Sequence, residues 1–232
     1  TDGDRHGAGG GDPMTAIVLE EVDCYACGSD AYEHFSFAED DLTGKPGRFR
    51  FVTCNDCGLA YQRPRIHPEA ISGWYDDEYI AHRKKMKLGP LTGLYEHAMS
   101  KHDRSKLKLV RSYAPLTSES RVLDIGCAVG SFLGTVRQAY DCSVVGVDFK
   151  DLSATLVDSE IEFHCGAFAE TSFADDSFDL VTMWHYLEHD YDPVETLRTT
   201  HRILRPGGRA LIEVPRLDSK TATLYGDRWP GL

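Results

Sequence analysis

The chain has 232 residues, 41% of them apolar, enough for one full domain plus a small accessory module. No run approaches the roughly 18 uninterrupted apolar residues of a membrane span, and no secretory apolar core lies near the start, so a soluble cytoplasmic chain without membrane partners is expected. A net charge of -12, from 37 acidic against 25 basic residues, argues against a nucleic-acid partner held by phosphate neutralisation.

Residues Thr1–Pro13 are rich in Gly and Asp and lack apolar periodicity, so a disordered tail is expected there, with Met14 as a natural start. Residues 14–65 are expected to form a metal-binding module. Cys24-Tyr25-Ala26-Cys27-Gly28 and Cys54-Asn55-Asp56-Cys57-Gly58 are two CxxCG knuckles, with 26 residues between Cys27 and Cys54. Each short loop can present two thiolates to one side of a metal, and the glycine permits the tight turn that follows. Four thiolates close a tetrahedron and leave no position for water, so Zn2+ on Cys24, Cys27, Cys54 and Cys57 is expected to be structural; an iron site or a redox dithiol pair is the alternative. Cys127, Cys142 and Cys165 are scattered singly, unlike a secreted disulfide framework. The run from Cys54 to Arg65, CxxCGLxYxxPR, resembles the zinc-ribbon domain ahead of some methyltransferases, including C-methyltransferases that act on nucleotide-linked keto-sugars.

Residues 66–117 read as a helical linker or cap. Leu107, Val110 and Tyr113 make a modest apolar stripe, and Trp74, Tyr75 and Tyr79 an aromatic segment. Between Ala81 and Arg111 stand nine basic residues (Arg83, Lys84, Lys85, Lys87, Lys101, Arg104, Lys106, Lys108, Arg111) against only Glu96 and Asp103. That run is a solvated helix face or a patch that steers an anionic substrate.

From 118 to 232 strands alternate with helices. Strands are expected at Val122–Ile125, Ser143–Val147, Ile161–His164, Phe178–Met183 and Ala210–Val214. One helix carries Phe132, Leu133, Val136 and Tyr140 on one face. Another starts at Asp192 as N-cap, with Pro193 in its first turn and Glu195 three residues on, and stops at Pro206-Gly207-Gly208. This order predicts an α/β, Rossmann-like, mostly parallel sheet flanked by helices.

The first of these strands runs through Asp124-Ile125-Gly126-Cys127-Ala128-Val129-Gly130 into a helix, a small-residue turn that lets a ligand approach the backbone at a helix N-terminus. A dinucleotide fingerprint would need glycines at 126, 128 and 131, where the chain has Gly126, Ala128 and Ser131; an NAD-type dehydrogenase therefore conflicts with the spacing. The second strand ends in Asp148, a carboxylate able to accept both ribose hydroxyls or to cap a helix beginning near Asp151. The spacing DxGxAxG resembles motif I of class I S-adenosylmethionine-dependent methyltransferases. Gly166-Ala167-Phe168, Trp184-His185-Tyr186-Leu187-Glu188-His189 and Leu204-Arg205-Pro206-Gly207-Gly208 follow in that family's order.

The resemblance implies that the turn at Asp124, Gly126, Cys127, Ala128 and Gly130 cradles the methionine half of S-adenosylmethionine. It implies that Asp148 holds the ribose, that Phe149, Ala167 and Phe168 meet adenine, and that Trp184, Tyr75 and Tyr79 complete the pocket. The alternative for the tyrosines is packing between the modules. A small-molecule acceptor is expected after the fourth strand, where His185 or His189 is a candidate general base and passive lining of the pocket is the alternative. The fold implied has seven strands, so the last two are expected to be missing from this chain. A reading from another class is a noncatalytic zinc-ribbon binding module carried on a degenerate nucleotide fold. No oligomeric state is assigned.

Overall fold

The computed structural model describes residues 17–40, 45–74, 92–226 and 229. The Thr1–Pro13 segment, Tyr75, Tyr79 and the basic residues 83–87 lie outside the described residues.

The N-terminal module contains two small antiparallel sheets. β1 (Leu19–Glu20) pairs with β5 (Arg65–Ile66), and β2 (Tyr32–Ala38), β3 (Phe49–Cys54) and β4 (Ala60–Gln62) form a meander. Its core is small: Cys24, Val52, Cys54 and Tyr61, with Val22, Tyr25, Tyr32 and Leu59 packed around them. Trp74 packs edge-on against Phe49 of β3 with ring centroids 5.2 Å apart, so the aromatic segment begins by covering this module.

Helix α1 (Thr92–Tyr113) leads into the larger domain. Among its described side chains Asp103, Leu107 and Val110 are buried at helical spacing, and Ala114 just past its end is buried with them, whereas Tyr113 is 61% exposed. The expected stripe is therefore rotated by one residue, because Ala114 lies on the same face as Leu107 and Val110 and Tyr113 does not.

Five strands follow: β6 (Arg121–Ile125), β7 (Ser143–Asp148), β8 (Glu162–Cys165), β9 (Phe178–Trp184) and β10 (Leu204–Glu213). They pair in parallel in the order β10-β9-β6-β7-β8. The apolar runs of β6, β7 and β9 are buried on both faces, whereas β8 and β10, at the ends of the strand order, are partly exposed. Helix α2 (Ser131–Tyr140) crosses from β6 to β7 with Phe132, Leu133 and Val136 buried. Helix α3 (Pro193–Ile203) starts as its sequence dictates, with Asp192 accepting a hydrogen bond from the Glu195 amide at 3.0 Å. It ends at Ile203 rather than at Pro206. Leu204 already pairs with Phe178, residues 205–208 loop out, and pairing resumes at Arg209 with Leu180. Pro206 cannot continue a helix, and Gly207 takes a φ of +86° inside that loop. Helix α4 (Lys220–Tyr225) follows β10.

Two close approaches fix the sheet. A Cβ placed on Gly146 of β7 would lie 2.5 Å from Cys127 Sγ and 3.2 Å from Leu133 Cδ1, so glycine lets the β6–α2 connection settle onto β7. At the opposite end of the sheet, Asp179 Oδ2 accepts from the Arg121 amide at 2.7 Å and from Arg205 at 2.6 Å, joining β6, β9 and the start of β10. No helix among the described residues is long and apolar enough to cross a membrane.

Candidate functional site

Sheet order reverses at β6, whose neighbours are β7 on one side and β9 on the other. In an open α/β sheet, the carboxyl ends of the strands at such a reversal leave a crevice. The turn Gly126–Gly130, the tip of β7 and the segment after β9 meet there.

The turn is held against β7 by main-chain bonds. Gly126 N and Cys127 N both donate to Val147 O, at 2.8 and 3.1 Å. Gly126 (φ +76°), Ala128 (φ +50°) and Gly130 (φ +74°) all adopt the left-handed conformation. At Gly126 a Cβ would meet the Tyr186 ring 3.0 Å away, and at Gly130 it would sit 2.6 Å from Ile161 Cδ1. Ala128 tolerates the position only at a cost of roughly 1–2 kcal/mol. Something must hold it there, and Asp148 does: its Oδ2 accepts from the Ala128 amide at 2.8 Å, while Oδ1 accepts from Lys150 N at 3.1 Å. Asp148 therefore closes the turn from the tip of β7 and keeps unused lone pairs on both oxygens. The segment after it forms only a short 3-10 turn, Ser153–Thr155, in which Asp151 bonds Ser153. The helix expected near Asp151 is absent, so Asp148 does not cap one.

Asp124 is 3% exposed, and Thr182 Oγ1 donates to its Oδ1 at 2.5 Å. Burial pushes its carboxyl up to about 7, against the opposing pull of that hydrogen bond and of the Lys106 ammonium. Lys106, on α1, lies 5.0 Å from the Trp184 ring centroid and 5.7 Å from that of Phe132. Because the folded chain holds the Asp124 proton where the unfolded chain has lost it, stability from this group is full below about pH 4 and falls as pH rises to about 7. We expect wild type to lose roughly 2 kcal/mol more than Asp124→Asn between pH 5.5 and 8. Urea unfolding of both proteins at the two pH values checks this; parallel losses would contradict it.

The remaining expected residues divide by burial. Phe149 is 51% exposed at the tip of β7. Ala167 precedes the short 3-10 turn Phe168–Glu170. Phe168 is 1% exposed and its ring packs in the core with Val145 and Phe173, which leaves Phe149 and Ala167 as the candidates near a base. Cys127 is buried and its thiol is pushed up by burial, so its contribution to the crevice is main chain. Trp184 is 9% exposed and edge-on to Phe132, and its Nε1 has no acceptor among the described residues.

The segment after β9 carries both candidate bases. His185 has a left-handed φ of +56°, uncommon outside glycine though His is among the residues that adopt it most readily. Its Nδ1 lies 3.2 Å from Glu188 Oε1 and its Nε2 2.9 Å from Glu213 Oε1. His189 N donates to Tyr186 O within the 3-10 turn Leu187–His189. Glu213, Thr182 and Lys106 belong to this site, yet spacing alone does not single them out. Each is placed by strand pairing or helix packing between distant segments.

The four cysteines of the N-terminal module converge. Their sulfurs lie within 4.8 Å of one another, with Cys24–Cys57 at 3.4 Å and Cys27–Cys54 at 3.6 Å. A tetrahedron with Zn–S of about 2.3 Å needs sulfurs about 3.8 Å apart, so the set fits that ion with small adjustment. The two knuckles repeat one geometry: Gly28 N donates to Cys24 O at 2.8 Å and Gly58 N to Cys54 O at 2.9 Å. The Cys57 and Asp56 amides pull the Cys54 thiol down to about 7. Against the lowering pull of the Ser29 amide, burial and the neighbouring thiols push Cys27 up to about 12. Four thiolates this close repel one another, and a divalent cation at their centre removes that repulsion.

Known proteins resemble this chain over its larger domain. The methyltransferase domain family Methyltransf_23 matches residues 95–232, more than half of the chain. A protein of 37.1 kDa in transposon TN4556 of Streptomyces fradiae is 33% identical over 43% of this chain and 31% of its own length. The 27-O-demethylrifamycin SV methyltransferase of Amycolatopsis mediterranei (strain S699) is 32% identical over 41% of this chain and 38% of its own length. The chain thus spans well under half the length of either relative. Among solved structures, a methyltransferase in complex with the Haloferax volcanii Trm112 methyltransferase activator shares 24% identity, with 51% of this chain and 55% of that one covered at a TM-score of 0.45. With the family match spanning α1 through the Rossmann-like sheet, this chain belongs to the methyltransferase domain family.

Proposed function

We propose that the chain transfers a methyl group from S-adenosylmethionine to a small-molecule acceptor, with Zn2+ on Cys24, Cys27, Cys54 and Cys57 as a structural ion. The observation that carries this reading is the Asp148 carboxylate bonded to the Ala128 amide across the Gly126–Gly130 turn. That arrangement offers a diol acceptor beside a backbone cradle and a helix N-terminus. Asp148 would hold the ribose, the turn the methionine half, and Phe149 and Ala167 the adenine. The cofactor supplies a methyl carbon already activated by its sulfonium, so displacement needs alignment more than covalent help, and good alignment is worth about 7–11 kcal/mol.

Acceptors enter where β9 ends. A general base is needed when the acceptor must lose a proton, from a hydroxyl or from a carbon beside a carbonyl. His185 has a carboxylate on each ring nitrogen, which suits a hydrogen-bonded strut. We assign the proton-taking role to His189, at the end of the Leu187–His189 turn on the acceptor segment. A small molecule as acceptor is in keeping with the rifamycin relative, and the Cys54–Arg65 run supports a nucleotide-linked keto-sugar or a similar biosynthetic intermediate.

The test incubates the protein with methyl-labelled S-adenosylmethionine and a panel of nucleotide-linked keto-sugars. Label in an acceptor, with turnover about 100-fold or more slower in His189→Gln and less affected in His185→Gln, is the expected result. Unchanged turnover in His189→Gln would remove it as the base. No labelled product across the panel would reject the sugar reading.

A further inference from the structure

Arg63 and Arg65 flank Pro64 and serve different parts of the molecule. Arg63 turns back into its own module, where its Nε donates to Glu21 at 3.1 Å and its guanidinium covers the Tyr32 ring at 4.5 Å. Arg65 reaches out of it. Its Nε donates to Glu20 Oε1 at 2.6 Å and its Nη1 to Tyr191 O, 126 residues away in sequence, at 2.8 Å. The same guanidinium lies 5.3 Å from the Tyr25 ring and 4.5 Å from the Tyr191 ring. Tyr191 returns the contact, its hydroxyl donating to Ile66 O at 2.8 Å.

Both ends of this chain of contacts are informative. Tyr25 sits inside the first knuckle, between Cys24 and Cys27. Tyr191 lies two residues after His189 and one before Asp192, the N-cap of α3. A planar cation between two aromatic faces, with a carboxylate and a carbonyl in its plane, uses the geometric features that distinguish arginine from lysine. The contact is mostly shielded, since the Arg65 side chain is 17% exposed and that of Glu20 26%.

We propose that Arg65 is a positioning residue that ties the four-cysteine knuckle to the segment carrying His185 and His189, so that metal in the knuckle orders the acceptor side of the crevice. The proposal rests on the zinc and acceptor-side readings above. Filling the cysteine set fixes the Tyr25 knuckle and the β1–β5 ladder, and these hold Arg65 against Tyr191. Emptying it frees Arg65, and residues 187–192 lose their anchor to the N-terminal module. Contiguity of this kind supports coupling, and a measured response of one end to the other is what demonstrates it.

Amide hydrogen exchange on the full chain, loaded with Zn2+ alone and then stripped by a chelator, provides that measurement. Zinc content is determined on each sample, so a failure of the metal reading shows as absent zinc rather than as absent coupling. In wild type, stripping is expected to speed exchange at residues 187–192 on the order of tenfold, with Val122–Ile125 unchanged. Arg65→Ala should exchange fast at 187–192 even with zinc bound, and stripping should add nothing there. Arg65→Lys, which keeps the charge and loses the planar fork, should fall between. Tyr191→Phe, which deletes only the hydroxyl bond to Ile66, gives a milder form of the same local change and keeps the test alive if Arg65→Ala fails to fold. Residues 187–192 that ignore zinc in wild type, or that respond to it equally in Arg65→Ala, would overturn the proposal.

Discussion

Removing zinc, or replacing Cys54 with serine, is expected to melt residues 19–66 while the parallel sheet survives. Among the described residues the module's core cluster holds four buried side chains, two of them the cysteines Cys24 and Cys54, with Ile66 buried apart from it. Apolar burial on that scale does not offset the ordering of about 50 residues. Structural zinc in small metal-binding peptides contributes about 10–16 kcal/mol, as large as the whole stability of an ordinary domain. The large domain has its own cores on both faces of β6, β7 and β9, so its sheet does not depend on the ion. Exchange of the β2 and β3 amides reads the outcome directly. Protection lost on chelation, with Arg121–Ile125 still protected, is the expected pattern. Protection retained in metal-free protein would mean that the meander stands on its own.

The second large effect is at Asp148. Replacement by alanine removes the acceptor proposed for two ligand hydroxyls and also frees the Ala128 amide, whose residue is held at a φ of +50°. Two charge-assisted hydrogen bonds amount to about 3 kcal/mol, so S-adenosylhomocysteine should bind roughly 100-fold more weakly to Asp148→Ala. Asparagine at the same position is a sharper probe. It retains one oxygen, which can serve either the turn or the ligand, so an intermediate loss is expected. A dissociation constant unchanged in both variants would move the ribose site elsewhere.

How legible the molecule is from its sequence depends on the range of the interactions. Both knuckles, the Asp192 cap and the β6–α2 turn are written in contiguous residues with strong local preferences, and spacing suffices to find them. The five strands are apolar runs between turn signals, so their existence is readable and their ends shift by a residue or more. Leu204 joins the sheet before the Pro-Gly-Gly loop because its partner Phe178 lies 26 positions earlier, which no local pattern encodes. The helix expected after Asp148 fails for a similar reason: Val157 N bonds Val129 O, and that contact claims the segment. Phe168 follows the third strand as the family order requires, yet its ring turns into the core. Glu213, Thr182, Lys106 and the Arg65–Tyr191 contact are absent from any linear motif because strand pairing or tertiary packing creates each of them.

Whether the Gly126–Gly130 turn and Asp148 form an S-adenosylmethionine site is decided by calorimetric titration of the zinc-loaded chain with S-adenosylhomocysteine, with NAD in a parallel cell. Saturable one-to-one binding of S-adenosylhomocysteine, weakened in Asp148→Ala, together with no heat from NAD, is the result this structure predicts. Binding of NAD in its place, or S-adenosylhomocysteine binding equally to wild type and Asp148→Ala, would contradict it.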